Sequence, residues 1–321
     1  MADETKRSPG RLTALVGEFG IAIVLVAEIL LFALLSPYFF TAENILNISL
    51  QTSIIAIIAV GMTFVILTAG IDLSVGAVVA ATGVTATAVL KMGAPYPVAL
   101  GCGMLAGLSI GAFSGAVAGV FITKLRITPF IVTLALMTIW RGAAYMFTDG
   151  RPVWGLPEEF SLLGSGRVAG VPIPTLFMIA VYVAAYVVLR KTRFGRYVYA
   201  VGGNPEAARL SGVPTDRILM GVYMLCGVLA SFSGILLASR MNSGQPNAGQ
   251  MYELDVIAAV VVGGTSLFGG RGSVVGTFIG AMLIGVLRNG LNLMNVSSYV
   301  QMILLGVVIL SAVLLDRLRG R

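Results

Sequence analysis

The sequence predicts an all-α polytopic membrane protein, and three observations point to this class. Hydrophobic residues make up 57% of the 321-residue chain and charged residues only 11%, whereas soluble domains hold about 25% charged residues. The mean hydropathy is +0.95. The apolar residues form long continuous runs, not the alternating segments of about 10 residues that a transmembrane barrel shows. The composition therefore excludes a soluble globular protein, a disordered chain and a barrel.

Apolar runs close to the roughly 20 residues that cross a hydrocarbon core predict ten transmembrane helices. They cover residues 19–36, 46–68, 72–90, 97–122, 128–147, 174–189, 218–238, 255–268, 274–290 and 298–315. The eighth is short and ends in glycines, so its limits are the least defined. Residues 1–18 form a cytoplasmic N-terminal segment before a first helix that we expect to be retained. Because Lys and Arg concentrate in cytoplasmic loops, their distribution places both termini inside. The whole chain, 1–321, is then a single transmembrane domain.

Residue types that are missing exclude several kinds of chemistry. No histidine occurs, which excludes Ser-His and Cys-His catalysis and histidine metal sites or pH switches. Cys102 and Cys226 each lie in an apolar run, so we expect free buried thiols. The net charge of +7 fits cytoplasmic loops of a membrane protein better than a nucleic-acid partner. We therefore expect no enzyme activity and no cofactor.

Two loops stand out by length. Residues 148–173, rich in Pro and Gly, predict an irregular outer loop. Residues 190–217 lie inside and contain a short helix, with Asn204 as its cap, Pro205 at its first position and Glu206 in its first turn. Gly212 ends this helix. The segment is either an ordinary connection or a docking element for a cytoplasmic partner, since a rigid helix holds its side chains in place.

Glycines recur at every fourth position of the fourth predicted span. They are Gly103, Gly107, Gly111, Gly115 and Gly119. Such a stripe lies along one helix face and lets a neighbouring backbone approach closely. We expect a packing role and no catalytic one.

Acidic residues within membrane spans are rare and favour a functional hypothesis. Glu28 lies in the middle of the first span without an evident partner. Asp72, in the sequence Thr68-Ala69-Gly70-Ile71-Asp72-Leu73-Ser74, marks either a helix break at the inner membrane face or a broken helix that lines a transport route. Glu253 and Asp255 are expected at the outer end of the eighth span, where the helix dipole favours them.

A second glycine-rich break runs from Gly263 to Gly272. It lacks the Lys of a phosphate-binding P-loop, so an ATPase that drives this chain would be a separate subunit. Uncharged polar residues cluster at the outer half, where they suit either plain solvation or the passage of a neutral, hydroxyl-rich solute. They are Asn242, Gln245, Asn247, Gln250, Asn289, Asn292 and Asn295.

Five stretches resemble the ribose-type permeases of ABC sugar importers. They are SPYFFTAENILNI (36–48), AVGMTFVILTAGIDLSVG (59–76), RFGRYVYAVGGNPEAARLSG (193–212), YELDVIAAVVVGGTSLFGGRGSVVGTFIGA (252–281) and LRNGLNLMNVSSYVQMILLGVVIL (287–310). The resemblance implies a vitamin-B12-importer-like permease of about ten helices in the bacterial inner membrane. It also implies a second permease copy, a cytoplasmic ATPase and an extracytoplasmic sugar-binding protein. The coupling segment then comprises Gly203, Asn204, Pro205, Glu206, Ala207, Ala208, Arg209, Leu210, Ser211 and Gly212.

The resemblance implies import of a monosaccharide, with ribose as the leading substrate, by alternating access. The candidate gate or pathway residues are Thr68, Asp72, Ser74, Gly263, Gly264, Asn289 and Asn292. An ion-coupled secondary transporter is the alternative, with Glu28 and Asp72 as its candidate coupling acids. An intramembrane enzyme is disfavoured by the absence of histidine and of a convergent acid pair. Whether the second permease copy is identical stays open.

Overall fold

The structure, a computed structural model, describes the backbone of residues 11–319 and the side chains of residues 20–311, 313 and 314. Residues 1–10 and 320–321, which carry the predicted cytoplasmic termini, lie outside the described residues. The described chain forms α1 (Arg11–Leu35), α2 (Ala42–Leu67), α3 (Val75–Leu90), α4 (Tyr96–Thr123), α5 (Pro129–Thr148), α6 (Glu158–Ser165), β1 (Arg167–Val168), β2 (Val171–Pro172), α7 (Ile173–Lys191), α8 (Arg193–Gly203), α9 (Pro205–Leu210), α10 (Thr215–Arg240), α11 (Tyr252–Val262), α12 (Val274–Leu293) and α13 (Ser298–Arg319).

Six helices of the described chain are long and apolar enough to cross a membrane, namely α2, α4, α5, α7, α10 and α12. Shorter apolar segments lie in α1, α3 and α13. The eighth span, predicted as short over residues 255–268, corresponds to α11, which has 11 residues and ends at Val262. At 1.5 Å per residue it is about 16 Å long, roughly half of a hydrocarbon core of about 30 Å.

Helix α10 forms the centre of the fold and packs against α2, α3 and α4. It runs antiparallel to α2, since Ser233 donates a hydrogen bond to the carbonyl oxygen of Ile54 at 3.1 Å while Gly61 lies against Cys226. The glycine stripe of α4 faces α3 and α10. A side chain at Gly111 would meet the backbone of Gly227. The close approach of these backbones explains why the stripe needs glycine.

The outer loop after α5 is more ordered than the sequence indicates. It contains helix α6 and the β1–β2 hairpin. Phe160 of α6 is fully buried, and its carbonyl oxygen accepts a hydrogen bond from Ser239. Val153 pairs with Gly244 in an isolated antiparallel bridge. The predicted irregular loop is therefore a small cap over the end of α10.

Helix α1 packs along α12. The ring of Phe32 lies over Gly290, and Ile21 lies near Gly264. Glu28 is half-buried on this helix, and one of its carboxyl oxygens has no hydrogen-bond partner among the described residues. Backbone helix begins at Arg11, before the expected start of the span at residue 19.

Helices α3 and α11 both begin in the interior, where their first turns meet; we call them the half-helices, although α3, with 16 residues and a length of about 24 Å, is the longer of the two. Val79 of α3 packs against Gly234, well inside the length of α10, and Gly76 lies against Gly249 and Glu253. From this meeting point α11 runs along α12, with Ala259 against Gly280 and Gly263 against Gly276. Glu253 and Asp255 lie in the first turn of α11, as the sequence predicts for N-terminal charges, and this turn lies in the interior against α3.

Candidate coupling element and helix breaks

The loop after α7 carries two helices, where the sequence predicts one. Helix α9 begins and ends as expected. The side chain of Asn204 accepts a hydrogen bond from the Ala207 amide at 2.9 Å, and Gly212 adopts a φ of 83°. A left-handed residue after the last turn is the usual helix stop for glycine.

The surface of α9 presents one ion pair and one apolar side chain. The guanidinium of Arg209 donates two hydrogen bonds to the carboxylate of Glu206, at 2.6 and 3.1 Å. This pair lowers the pKa of Glu206 and raises that of Arg209. Leu210 is 76% exposed at the end of the helix. A fixed charge pair beside an exposed leucine is chemistry suited to a protein partner.

Sequence reasoning missed helix α8, which connects α9 to the membrane helices. Thr192 caps it by accepting a hydrogen bond from the Gly195 amide at 3.2 Å. Val198 and Val201 are buried on one face, and charged and polar residues cover the other. The apolar spacing of Phe194, Val198 and Val201 is the signal that could have predicted this helix.

Helix α8 is held against both helix breaks that the sequence singles out. A side chain at Gly202 would collide with the carbonyl oxygen of Leu67, the last residue of α2. The same Leu67 oxygen accepts a hydrogen bond from Gly270 at 2.9 Å. Tyr199 donates a hydrogen bond to the carbonyl oxygen of Gly272 at 2.9 Å. The structure thus brings the end of α2 and the 263–272 segment together at α8.

Asp72 lies in the irregular chain between α2 and α3. It is 1% exposed, and its Oδ1 accepts hydrogen bonds from the Ser74 amide at 2.9 Å and the Ser74 hydroxyl at 2.6 Å. The thiol of Cys226, near the middle of α10, lies against it. Thr68 bonds back to the carbonyl oxygen of Val65 at 2.8 Å. This position favours the broken-helix interpretation over a break at the inner membrane face.

A clamp holds the chain that enters the interior before α11. The guanidinium of Arg141, on α5, donates hydrogen bonds to the carbonyl oxygens of Pro246 at 3.0 Å and Ala248 at 2.7 Å. Gly264, at the other end of α11, has a φ of 85°. Gly263 packs on the backbone of Gly276. Both ends of this half-helix are therefore tightly positioned.

The two asparagines predicted for the pathway lie apart from these breaks. Asn289 exchanges two hydrogen bonds with Asn44, at 3.0 and 2.8 Å, and so ties α12 to the start of α2. The side-chain oxygen of Asn292 accepts a hydrogen bond from Gln301 of α13 at 2.8 Å. Their amide groups hold helices together, and a role in the pathway stays a prediction.

Sequence reasoning also missed a polar cavity of about 150 Å³. Its polar lining comes from α2, the end of α10, the start of α11 and α12. The lining residues are Gln51, Thr52, Arg240, Tyr252 and Arg288. They are scattered over the chain, and no spacing in the sequence connects them.

Helices long enough to cross a membrane, together with shorter helices that meet in the interior, are typical of membrane transport proteins. The family described as branched-chain amino acid transport system, permease component, matches residues 44–313. The ribose import permease protein RbsC of Escherichia coli strain K12 is 51% identical over 298 residues, covering 92% of each chain. The corresponding protein of Bacillus subtilis strain 168 is 46% identical and covers 90% of this chain and 89% of its own. The L-arabinose permease AraH of E. coli is 39% identical, covering 95% and 92%.

The chain belongs to this family of transport-system permease components. No solved structure matches it. The assignment agrees with the resemblance of the sequence to sugar permeases, and it makes this chain the membrane component of a transporter.

Proposed function

We propose that the chain is the membrane-spanning subunit of an ABC importer that passes ribose into the cytoplasm across a bacterial inner membrane. The single observation that supports ribose as the substrate is the order of the sequence identities to permeases of different sugars. Ribose permeases are 51% and 46% identical, whereas the L-arabinose permease is 39% identical over a comparable length.

The proposal includes three kinds of partner. A cytoplasmic ATPase docks on α9, an extracytoplasmic sugar-binding protein delivers the sugar, and a second identical permease copy completes the membrane unit. The exposed Leu210 and the fixed Glu206–Arg209 pair support docking on α9. ATP hydrolysis then belongs to the ATPase subunit.

The connected contacts support a route for the motion. Movement of α9 is passed to α8, and from Gly202 to the end of α2 and from Tyr199 to the 263–272 segment. Thr68, Asp72, Ser74, Gly263 and Gly264 act as hinges or gates, because they flank the half-helices. Rigid-body movement of packed helices around short irregular hinges is a common way to open and close a path.

The experiment is uptake of labelled ribose into proteoliposomes that hold the permease, its ATPase and its binding protein. We expect uptake that requires the ATPase and ATP on the inside of the proteoliposomes. Uptake should persist when a protonophore is added. Loss of uptake with the protonophore at constant ATP would instead support an ion-coupled transporter. Uptake of a different sugar, with no uptake of ribose, would contradict ribose as the substrate and leave the assignment as an ABC importer intact.

A further inference from the structure

Four cations lie close together where α7 ends and α8 begins. Arg190 and Lys191 occupy the last turn of α7, and Arg193 and Arg196 lie near the start of α8. All four residues are exposed. Because a helix rises 1.5 Å per residue, Arg196 lies only about 4.5 Å further along α8 than Arg193. We call these four residues the basic cluster.

Neighbouring acidic residues do not neutralise the basic cluster. Its members form no ion pair with an acidic residue of the described chain. The loop 190–217 contains two acidic residues. Glu206 is paired with Arg209, and Asp216 lies between Lys124 and Arg126. Helix α8 also begins without an acidic residue in its first turn, where the helix dipole favours negative charge. The basic cluster therefore attracts an anion from outside the chain.

The position of the basic cluster favours a lipid headgroup as that anion. Helix α7 is long and apolar enough to cross a membrane, and the cluster begins in its last turn. One turn earlier, Tyr186 and Val187 are exposed, and the guanidinium carbon of Arg190 lies 5.9 Å from the centre of the Tyr186 ring. Tyrosine is typical of the level at which headgroups lie. Basic residues directly beside a membrane helix attract anionic lipids.

The basic cluster adjoins the contacts that connect α8 to the helix breaks. Arg190 lies within electrostatic reach of the Tyr199 hydroxyl, which donates a hydrogen bond to the carbonyl oxygen of Gly272 at 2.9 Å. At the other end of α8, Gly202 lies against the carbonyl oxygen of Leu67. An anion bound by the cluster would therefore hold the start of the helix that joins α9 to both breaks.

We propose that the basic cluster binds the headgroup of an anionic phospholipid, in the leaflet on the side of α8 and α9. The phosphate oxygens accept hydrogen bonds from the three guanidinium groups and from the ammonium group of Lys191. The site goes beyond the proposed function, because it requires neither the sugar nor the ATPase. In the proposed importer the bound lipid anchors the start of α8 at the cytoplasmic leaflet.

Titration of fluorescent phosphatidylglycerol into the detergent-solubilised permease measures the site directly. Wild type should bind it more tightly than fluorescent phosphatidylcholine, whose headgroup has no net charge. Each cation lost near a membrane surface weakens the attraction about five-fold. Arg193→Gln combined with Arg196→Gln should therefore bind phosphatidylglycerol about 25-fold more weakly. The matched control, Arg151→Gln with Arg167→Gln, neutralises two exposed arginines of the loop 148–173 and should bind as wild type does.

A second variant, Arg190→Gln with Lys191→Gln, should show a similar loss of phosphatidylglycerol binding. Affinity equal to that of wild type in both cluster variants would overturn the site, as would equal binding of phosphatidylcholine by wild type. Displacement of the lipid by millimolar inorganic phosphate would make the cluster a site for a free anion and contradict the lipid headgroup. Unchanged lipid binding combined with lost ATPase association would make the ATPase the partner of the cluster.

Transport measures the consequence for coupling. In proteoliposomes of phosphatidylcholine, ATP-driven ribose uptake by wild type should rise as phosphatidylglycerol is added. Uptake by the Arg193→Gln and Arg196→Gln permease should rise less, and an equal rise would contradict the anchoring of α8. Absence of ribose uptake in every lipid mixture would contradict the proposed function alone, because the lipid titration decides the site without transport.

Discussion

The exposed leucine at the end of α9 tests ATPase docking most sharply. Leu210 is 76% exposed, so most of its apolar surface is free for a partner to cover. Full burial of a leucine side chain contributes about 1.5–3 kcal/mol. Leu210→Ala removes most of this surface and keeps the helix, because alanine has the higher helix propensity. We therefore expect ATPase association to weaken by about 1–2 kcal/mol at each docking site, a factor of about 5–30.

The assay is a titration of fluorescently labelled ATPase against the permease in lipid nanodiscs. Leu162→Ala is the matched control, because Leu162 is 59% exposed on α6, in the loop between α5 and α7. The Leu162→Ala permease should bind the ATPase with the same dissociation constant as wild type. Equal dissociation constants for Leu210→Ala and wild type would refute the docking surface.

Three further predictions follow from local contacts. Gly202→Ala should destabilise the protein by about 1–3 kcal/mol and lower ATP-driven uptake, whereas Gly203→Ala, whose methyl group meets open space, should match wild type in thermal unfolding. Gly111→Ala should separate α4 from α10 and lower the unfolding temperature, while Gly101→Ala on the same helix should leave it unchanged. Because Arg209 lowers the pKa of Glu206 from its ordinary value, the carboxylate is ionised and the ion pair is formed at neutral pH, and the pair is lost only in acid. ATPase association should then show no step between about pH 6 and about pH 8, and a step there would contradict the assignment.

The short cytoplasmic helix could be predicted because its signals are local. A capping Asn204, Pro205 at the first position and a stopping Gly212 act within one or two turns of the helix that they define. Helix α8 carries an equally local signal in the apolar spacing of Phe194, Val198 and Val201.

The half-helices could not be located from hydropathy. The interior segments that precede α3 and α11 are shielded by neighbouring helices, so they need no apolar helical signal of their own. Asp72 indicates a helix break in the sequence. Its contact with Cys226 in the structure is what places that break near the middle of α10. The extra length assigned to the eighth span came from reading the turn after Val262 as helix.

The cavity and the asparagine ties depend on contacts between distant parts of the chain. Thr52 and Arg288 belong to α2 and α12, and neither position in the sequence shows that the two side chains line one cavity. Asn289 was predicted for the pathway because it is polar and near the outer half. Its pairing with Asn44 depends on how α2 and α12 pack, which no local pattern records.

The central claim is that α9 couples a separate ATPase to sugar transport, and a charge swap tests it most directly. Glu206→Arg combined with Arg209→Glu keeps an ion pair within the helix and reverses the charges that a partner meets. ATP-driven ribose uptake is compared with wild type in proteoliposomes, with equal membrane insertion as the control. We predict that the swapped permease inserts normally and loses both ATPase association and uptake. Uptake equal to that of wild type would contradict the claim.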